Sequence, residues 1–348
     1  MYNKMKEKPC QKVLFILKKR SVYNDETLQG YTLSSGLFNS ATFVSNMLNE
    51  SGIESKVVEV IDANGIDKEV HQNKPTYAII EAIWAAPKKF AELVKLHPTV
   101  KWIVRVHSEI PFLACEGMAF QWIKEYLSYP NVAVSFNSFK TNDQFQNLYP
   151  KHKNKIVHLP NYYGLNMNKN THKKSKTHIN IGCFGAIRPM KNQVLQAVAA
   201  IEFAQSIHKT LHFHINVGRV ESKGDNVLKN LRALFIGTPH KLVEHSWLEH
   251  SEFIHLVQKM DVCMQVSMSE SFNIVSADVI NNEIPLVASD EIEFTFPLFN
   301  AKTTSSASMV KKLKLAWWGK NWGLHNLNKI GLYFATLDAK SIWLDYIK

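Results

Sequence analysis

Cysteine is scarce in this chain of 348 residues. The four present, Cys10, Cys115, Cys183 and Cys263, stand far apart with no CxxC spacing. That scatter excludes a zinc ribbon and a disulfide framework, and a reducing cytoplasm is the expected compartment. Long apolar runs are also missing. The first, Val13 to Leu17, is too short for the core of a signal peptide, and none approaches the roughly 18 residues of a membrane span. With 14 Gly and 12 Pro the composition is neither collagen-like nor low-complexity, and 45% hydrophobic residues exclude wholesale disorder.

Acid is missing from two long stretches. Lys plus Arg total 41 against 30 Asp plus Glu, a formal charge of +11. Between Gln144 and Ile201 there is no acid but nine bases: Lys151, Lys153, Lys155, Lys169, Lys173, Lys174, Lys176, Arg188 and Lys191. Between Phe294 and Leu337 there is again no acid, with Lys302, Lys311, Lys312, Lys314, Lys320 and Lys329. With these fifteen set aside, 26 bases face 30 acids. The basicity is regional and suits an anionic partner.

Short β-branched runs alternate with helical stretches throughout, the pattern of parallel α/β layers. Strands are expected at Lys12–Leu17, Lys56–Val60, Tyr77–Ile80, Trp102–Val106 and Val132–Phe136, with helices at Ala41–Leu48, Pro87–Leu96 and Ala119–Leu127. After Pro160-Asn161 the chain turns polar and lysine-rich, which marks a linker over 164–178. A second series follows: strands at Ile179–Phe184, Leu211–Val217, Lys241–Glu244, Asp261–Val266 and Pro285–Val287, and helices at Asn192–Ala204, Asp225–Leu234, Ser251–Lys259 and Ile274–Asn281. The expectation is two Rossmann-like doubly wound domains facing a cleft, residues 1–163 and 179–322. A C-terminal helix, 323–348, returns to the first. In it Ile330, Tyr333, Phe334, Leu337, Ile342 and Leu344 are expected to be buried, and Trp317, Trp318 and Trp322 to pack it.

Two segments carry candidate chemistry. In the first, Glu270 lies in a small-residue loop between a strand and a helix, and Asp278 follows eight positions on. At about 100° per residue Asp278 returns almost to the same face, two turns deeper. A loop carboxylate can accept from sugar hydroxyls, the N–H groups of Phe272, Asn273 and Ile274 can donate from the helix start, and the second acid can accept from a ribose diol. The bland alternative makes Glu270 a helix cap and Asp278 an exposed helix residue. In the second, Gly185 permits a tight turn after a strand, and Arg188 and Lys191 lie where a diphosphate would meet fixed charge and a helix dipole. An ordinary βα turn with solvated charges is its alternative. No Asp-x-Asp occurs, so a metal-chelated diphosphate is not indicated.

These two segments, their order and Pro160-Asn161 resemble the nucleotide-sugar glycosyltransferases of the GT-B fold, in particular the retaining group with an E-x7-E motif. The resemblance is fullest over residues 160–290. It implies that Glu270 and the loop amides of Phe272 to Ile274 hold the donor sugar, that Asp278 binds the ribose, and that Gly185 and Lys191 hold the diphosphate. Ala186 stands where that family has an arginine, and Arg188 supplies the charge two residues later. Ser34-Ser35-Gly36, Arg105 to Glu109 and Leu159 to Tyr163 are similar to glycosyltransferase-like proteins of tailed bacteriophages, which implies a host cytoplasm.

What the resemblance implies is transfer of a sugar, hexosyl or pentosyl, from a nucleoside-diphosphate donor, UDP-glucose or a related UDP-sugar, to an acceptor hydroxyl. Retention of configuration and no obligatory metal or other cofactor are expected. Glu270, His107, Arg188 and Lys191 are the catalytic candidates; Ser35, Gly36, Asn39 and His107 are those for the acceptor. The acceptor expected is a hydroxymethylated pyrimidine in phage DNA, so double-stranded DNA is the expected macromolecular partner. A lipid-linked or surface glycan, or a GT-B binding module without activity, are the alternatives. The interleaved tryptophans and lysines near 311–322 can stack bases or rest at a membrane interface.

Overall fold

The computed structural model describes residues 11–19, 36–165 and 175–348. Most of the expected linker, 166–174, and the acceptor candidate Ser35 lie outside the described residues. The chain divides into two compact units, Met1–Gly164 with Asp338–Lys348, and Leu165–Leu337.

The first unit runs β1 (Lys12–Lys18), α1 (Gly36–Glu50), β2 (Glu54–Val60), α2 (Gly65–Asn73), β3 (Tyr77–Glu81), α3 (Pro87–Leu96), β4 (Lys101–Val106), α4 (Ile110–Leu113), α5 (Ala119–Tyr126), β5 (Val132–Phe136), α6 (Phe139–Leu148) and β6 (Ile156–His158). Its strands form one parallel sheet in the order β2-β1-β3-β4-β5-β6. The continuous apolar run of β1 follows from burial on both sides. Val13, Phe15 and Leu17 pack with Val44, Met47 and Trp343, while Leu14 and Ile16 pack with Val70, Phe90 and Tyr126. Helix α3 starts where expected because Pro87 occupies its first turn, with Phe90 and Leu93 buried one and two turns on.

The second unit runs β7 (His178–Gly182), α7 (Gln193–Ser206), β8 (Thr210–Asn216), α8 (Gly224–Phe235), β9 (Lys241–His245), α9 (His250–Val257), β10 (Val262–Gln265), α10 (Ile274–Asn281), β11 (Leu286–Ala288), α11 (Ser306–Gly319) and α12 (Asn326–Ile347). Its parallel sheet has the order β11-β10-β7-β8-β9. The winding reverses between β7 and β10. In open α/β sheets a crevice opens at such a reversal, beyond the carboxyl ends of the two strands.

Helix α12 corrects the sequence reading. It begins in the second unit and belongs to the first from Asp338 onward. Ile330, Tyr333, Phe334 and Leu337, expected inside, are 53%, 49%, 58% and 45% exposed, and Ile342 and Leu344 are only partly buried. The buried positions are Asn328, Leu332, Thr336, Ala339, Trp343 and Ile347. The smallest residue sets the rotation. A Cβ on Gly331 would come within 2.3 Å of the Phe294 carbonyl oxygen, so this face lies against the 294 backbone and the apolar row points away. The tryptophans also divide: Trp317 packs partly against the core, whereas Trp318 and Trp322 are 48% and 79% exposed.

Candidate functional site

The two segments singled out in the sequence meet at the carboxyl ends of β7 and β10. The turn after β7 holds Gly185, whose φ of +113° is open to glycine and strained for other residues. Its N–H donates to Asn216 Oδ1 at 3.1 Å, at the end of β8. Pro189–Lys191 forms a 3-10 turn, and Asn192, with φ of +57°, leads into α7. The loop after β10 holds Glu270. Lys191 Nζ donates to Glu270 Oε1 at 2.5 Å, and both side chains are mostly buried, at 12% and 7% exposure.

Buried amides brace the two loops against each other. Gln265 Nε2 donates to Phe184 O and its Oε1 accepts from Asn273 Nδ2, each at 2.9 Å. Asn192 Nδ2 donates to Val266 O at 3.2 Å and to Thr303 O at 2.8 Å. Gln196 Oε1 accepts from Val266 N at 2.9 Å, and Met268 N donates to Met190 O at 2.8 Å. Of these amides only Asn273 was singled out in the sequence, and for its backbone N–H. The signal of the others there is polarity at the end of β10 and in the first turn of α7.

Asn273, not Glu270, caps α10: its side chain accepts from Ser276 N at 2.9 Å. The capping role considered for Glu270 is therefore taken, and Glu270 instead faces Lys191. Ile274 opens the helix, and the Phe272 ring packs 4.9 Å from that of Phe294. Asp278 is buried rather than exposed, and its Oδ1 accepts from His250 Nε2 at 2.9 Å. Arg188 lies with Nη1 3.7 Å from Glu221 Oε2. Ala186 is buried, and its carbonyl accepts from Gln193 Nε2 at 2.9 Å.

Burial alone would raise the Glu270 carboxyl above the usual range, but the Lys191 ammonium, Ser267 and Arg188 hold it below. Burial pulls Lys191 below the ordinary lysine range, against the pull of Glu270. The Asp278 hydrogen bond raises His250. The two loops therefore bring together a buried cation, a carboxylate and a helix start, a set suited to an anion joined to a polyol.

The first unit holds a different cluster. Glu81 ends β3 and stands in register opposite Arg105 in β4; both are buried. Arg105 Nη1 donates to Glu81 Oε1 at 3.1 Å, Nε to Leu159 O at 3.1 Å, and Nη2 to Pro160 O at 2.9 Å and Asn161 Oδ1 at 2.5 Å. Its guanidinium lies 5.2 Å from the Trp343 ring centroid, and Trp343 Nε1 donates to Pro160 O at 2.7 Å. His107 Nε2 contacts Glu81 Oε2, and Asn137 Nδ2 lies 3.4 Å from His107 Nδ1. Burial would raise Glu81, yet Arg105 and His107 hold it below the usual carboxylate range, whereas burial lowers His107 despite Glu81. The lowered value favours the neutral ring, whose two nitrogens face Glu81 and Asn137. Glu81 was missed in the sequence; its signal is an acid closing the apolar run Tyr77-Ala78-Ile79-Ile80. Gly36 and Asn39 lie partly exposed in the first turn of α1. Among the described residues no group of three or more His, Cys, Asp or Glu is placed to hold a metal ion.

No protein-family model and no curated protein matches this sequence. Solved structures do. The chain is similar to an E. coli trehalose-6-phosphate protein bound with UDP-2-fluoro glucose, at 8% identity and TM-score 0.68, covering 96% of this chain and 98% of that one. It is similar to the sucrose-phosphate synthase of Thermosynechococcus elongatus, at 10% identity and TM-score 0.67, covering 97% and 98%. It is also similar to Anabaena HepE in complex with UDP and glucose, at 12% identity and TM-score 0.65, covering 97% and 99%. Likeness at such identities is likeness of fold: two parallel-sheet α/β units, as in proteins of the GT-B fold.

Proposed function

We propose that the protein transfers a sugar from a UDP-sugar to an acceptor hydroxyl, with retention. The observation that carries this reading is the Lys191–Glu270 pair at the reversal point of the second sheet, beside Gly185 and the start of α10. In this reading a diphosphate takes the charge of Lys191 and Arg188, and the released Glu270 accepts from sugar hydroxyls. The amides of Phe272, Asn273 and Ile274 donate, and Asp278 with His250 faces the ribose. Stabilising the departing diphosphate is the main catalytic effect, and fixed protein cations supply it without an obligatory divalent ion. Solved structures of the same fold that hold UDP with glucose, or UDP-2-fluoro glucose, support the choice of donor. Incubation with UDP-glucose should release UDP, by slow hydrolysis when no acceptor is present, and EDTA should leave the rate unchanged. No thermal shift and no hydrolysis with any nucleotide sugar would leave a binding module on a GT-B scaffold.

On the acceptor side the reading assigns hydroxyl binding to Ser35, Gly36, Asn39 and His107. The lysines of the acid-free segments support a hydroxymethylated pyrimidine in duplex DNA, reached by flipping the base. Such an enzyme binds duplex DNA with an affinity that falls steeply between roughly 50 and 200 mM salt, and mass spectrometry of treated hydroxymethylated DNA detects the added sugar. A second acceptor class, a lipid-linked glycan, is favoured by the exposed apolar row on α12. The buried thiols Cys183 and Cys263 suit a reducing cytoplasm under either acceptor.

A further inference from the structure

The apolar row on α12 is unaccounted for by the donor site. Ile330, Tyr333, Phe334 and Leu337 fall within an arc of about 100° on the helix surface, along roughly 10 Å of its length. Each is about half exposed, and together they form a stripe on the side opposite the buried one. Single exposed apolar residues are ordinary, but a contiguous aromatic and aliphatic row marks an interaction surface. Apolar side chains are also exposed in the segment that meets the buried side of α12. Phe296 N donates to Asn328 Oδ1 on α12 at 2.7 Å, and Phe296 and Leu298 are 43% and 37% exposed. Trp318, near the end of α11, and Trp322, in the turn that follows it, are exposed as well.

Charge identifies the occupant. The whole surface belongs to the acid-free stretch from Phe294 to Leu337, with its six lysines. Lys312 Nζ is fastened to Leu298 O at 2.7 Å, beside the exposed Phe296 and Leu298. Glu293 and Asp338 flank the stretch in sequence, Glu283 is engaged by Lys329 at 3.0 Å, and Glu202 lies 3.4 Å from Ser306. A second copy docked by two-fold symmetry would set lysines against lysines. Nucleic acid would use the aromatics and lysines but offers nothing to Ile330 and Leu337, since only flat side chains stack on bases. A lipid interface takes all four kinds at once: aliphatic groups in the acyl layer, Tyr and Trp at the headgroup level, and lysines on anionic phosphate. Among the described residues no helix is long and apolar enough to cross a membrane, so the contact is one of lying on the surface.

We infer that the second unit docks on anionic phospholipid bilayers through the α12 row, Trp318 and Trp322, with the lysines of the acid-free stretch around them. This inference stands apart from the donor reading, and its readouts involve no turnover. The test is flotation of the full chain with vesicles of phosphatidylcholine alone or with added phosphatidylglycerol, at about 0.15 M salt. Binding to the phosphatidylglycerol vesicles is expected, with a blue shift of tryptophan emission. Tyr333→Ser with Phe334→Ser should weaken it by more than about tenfold, and Lys311→Glu with Lys314→Glu should abolish the preference for the anionic vesicles. All four side chains are at least partly exposed, so the urea midpoint should stay that of the parent chain, which separates lost docking from lost fold. Absence of binding, or binding indifferent to both pairs of substitutions, overturns the inference. So does a dimer in light scattering, or duplex-DNA binding, that the Tyr333 and Phe334 substitutions abolish.

Discussion

Both units bury an ion pair near the carboxyl ends of their sheets, and they hold it in opposite ways. In the first, Arg105 spends its donors on Glu81, two backbone carbonyls and Asn161, so the charge is knitted into the chain. In the second, Lys191 meets Glu270 side chain to side chain, on loops braced independently by Gln265, Asn192 and Gln196. A pair tied to the backbone must persist for the fold to persist. A pair held side chain to side chain on a separately braced frame can hand its groups to a ligand.

Substitution tests that contrast directly. Arg105→Leu leaves Glu81 charged and buried and strands the Leu159 carbonyl, while Pro160 O keeps the Trp343 indole, so urea unfolding should show a loss of about 3–5 kcal/mol; a loss under about 1 kcal/mol would mean that the first cluster is as exchangeable as the second. Gly185→Ala should cost about 1–3 kcal/mol from its positive φ, because the added Cβ itself meets Lys191 Cε at an ordinary 3.8 Å. Lys191→Met combined with Glu270→Gln removes the charge pair from the second unit. Stability should stay within about 1 kcal/mol of the parent, while any UDP-sugar turnover should fall by about a hundredfold or more.

The two histidines beside these clusters sharpen the comparison by pH. His107 has its pKa lowered, so between the lowered and the ordinary value the unfolded chain binds the extra proton, and stability is lost as pH falls below about 6.5. The gap between the parent and His107→Gln should therefore widen as pH rises from acid to neutral. His250 has its pKa raised by Asp278. Its contribution is complete below the ordinary value and disappears as pH rises through the raised one. The parent-minus-His250→Gln gap should shrink over that rise, by less than about 1 kcal/mol because the ring is partly solvated. Gaps that move in the same direction would erase the distinction.

Much of the fold was legible because local signals agreed. Helices α3 and α10 and strand β5 stand at their expected limits, where Pro87, Asn273 and a short apolar run reinforce one another. Helices α2, α4, α6 and α11 were not anticipated. In α11 the lysines obscure the periodicity of Met309, Leu313 and Ala316, and burial of only two or three positions carries α2 and α6. At the candidate site the ligand-type residues were visible but their partners were not. Lys191 and Glu270 are 79 positions apart, and His250 and Asp278 are 28 apart. Such pairings follow from sheet order, which no single segment encodes. The α12 row misled for a related reason: apolar spacing gives a helix face but not its direction, and Gly331 set the direction.

The discontinuity of the first unit has a consequence for biosynthesis. Its core includes Trp343 and Ile347, and its buried arginine rests on that tryptophan. A ribosome delivers those residues after the whole of the second unit has emerged. The half made first must therefore wait with β1, α1 and the Arg105 network incomplete, while the continuous second unit can close its sheet. Chaperone demand during synthesis should fall on the early half, and emergence of the far end of α12 should be the moment at which it becomes native.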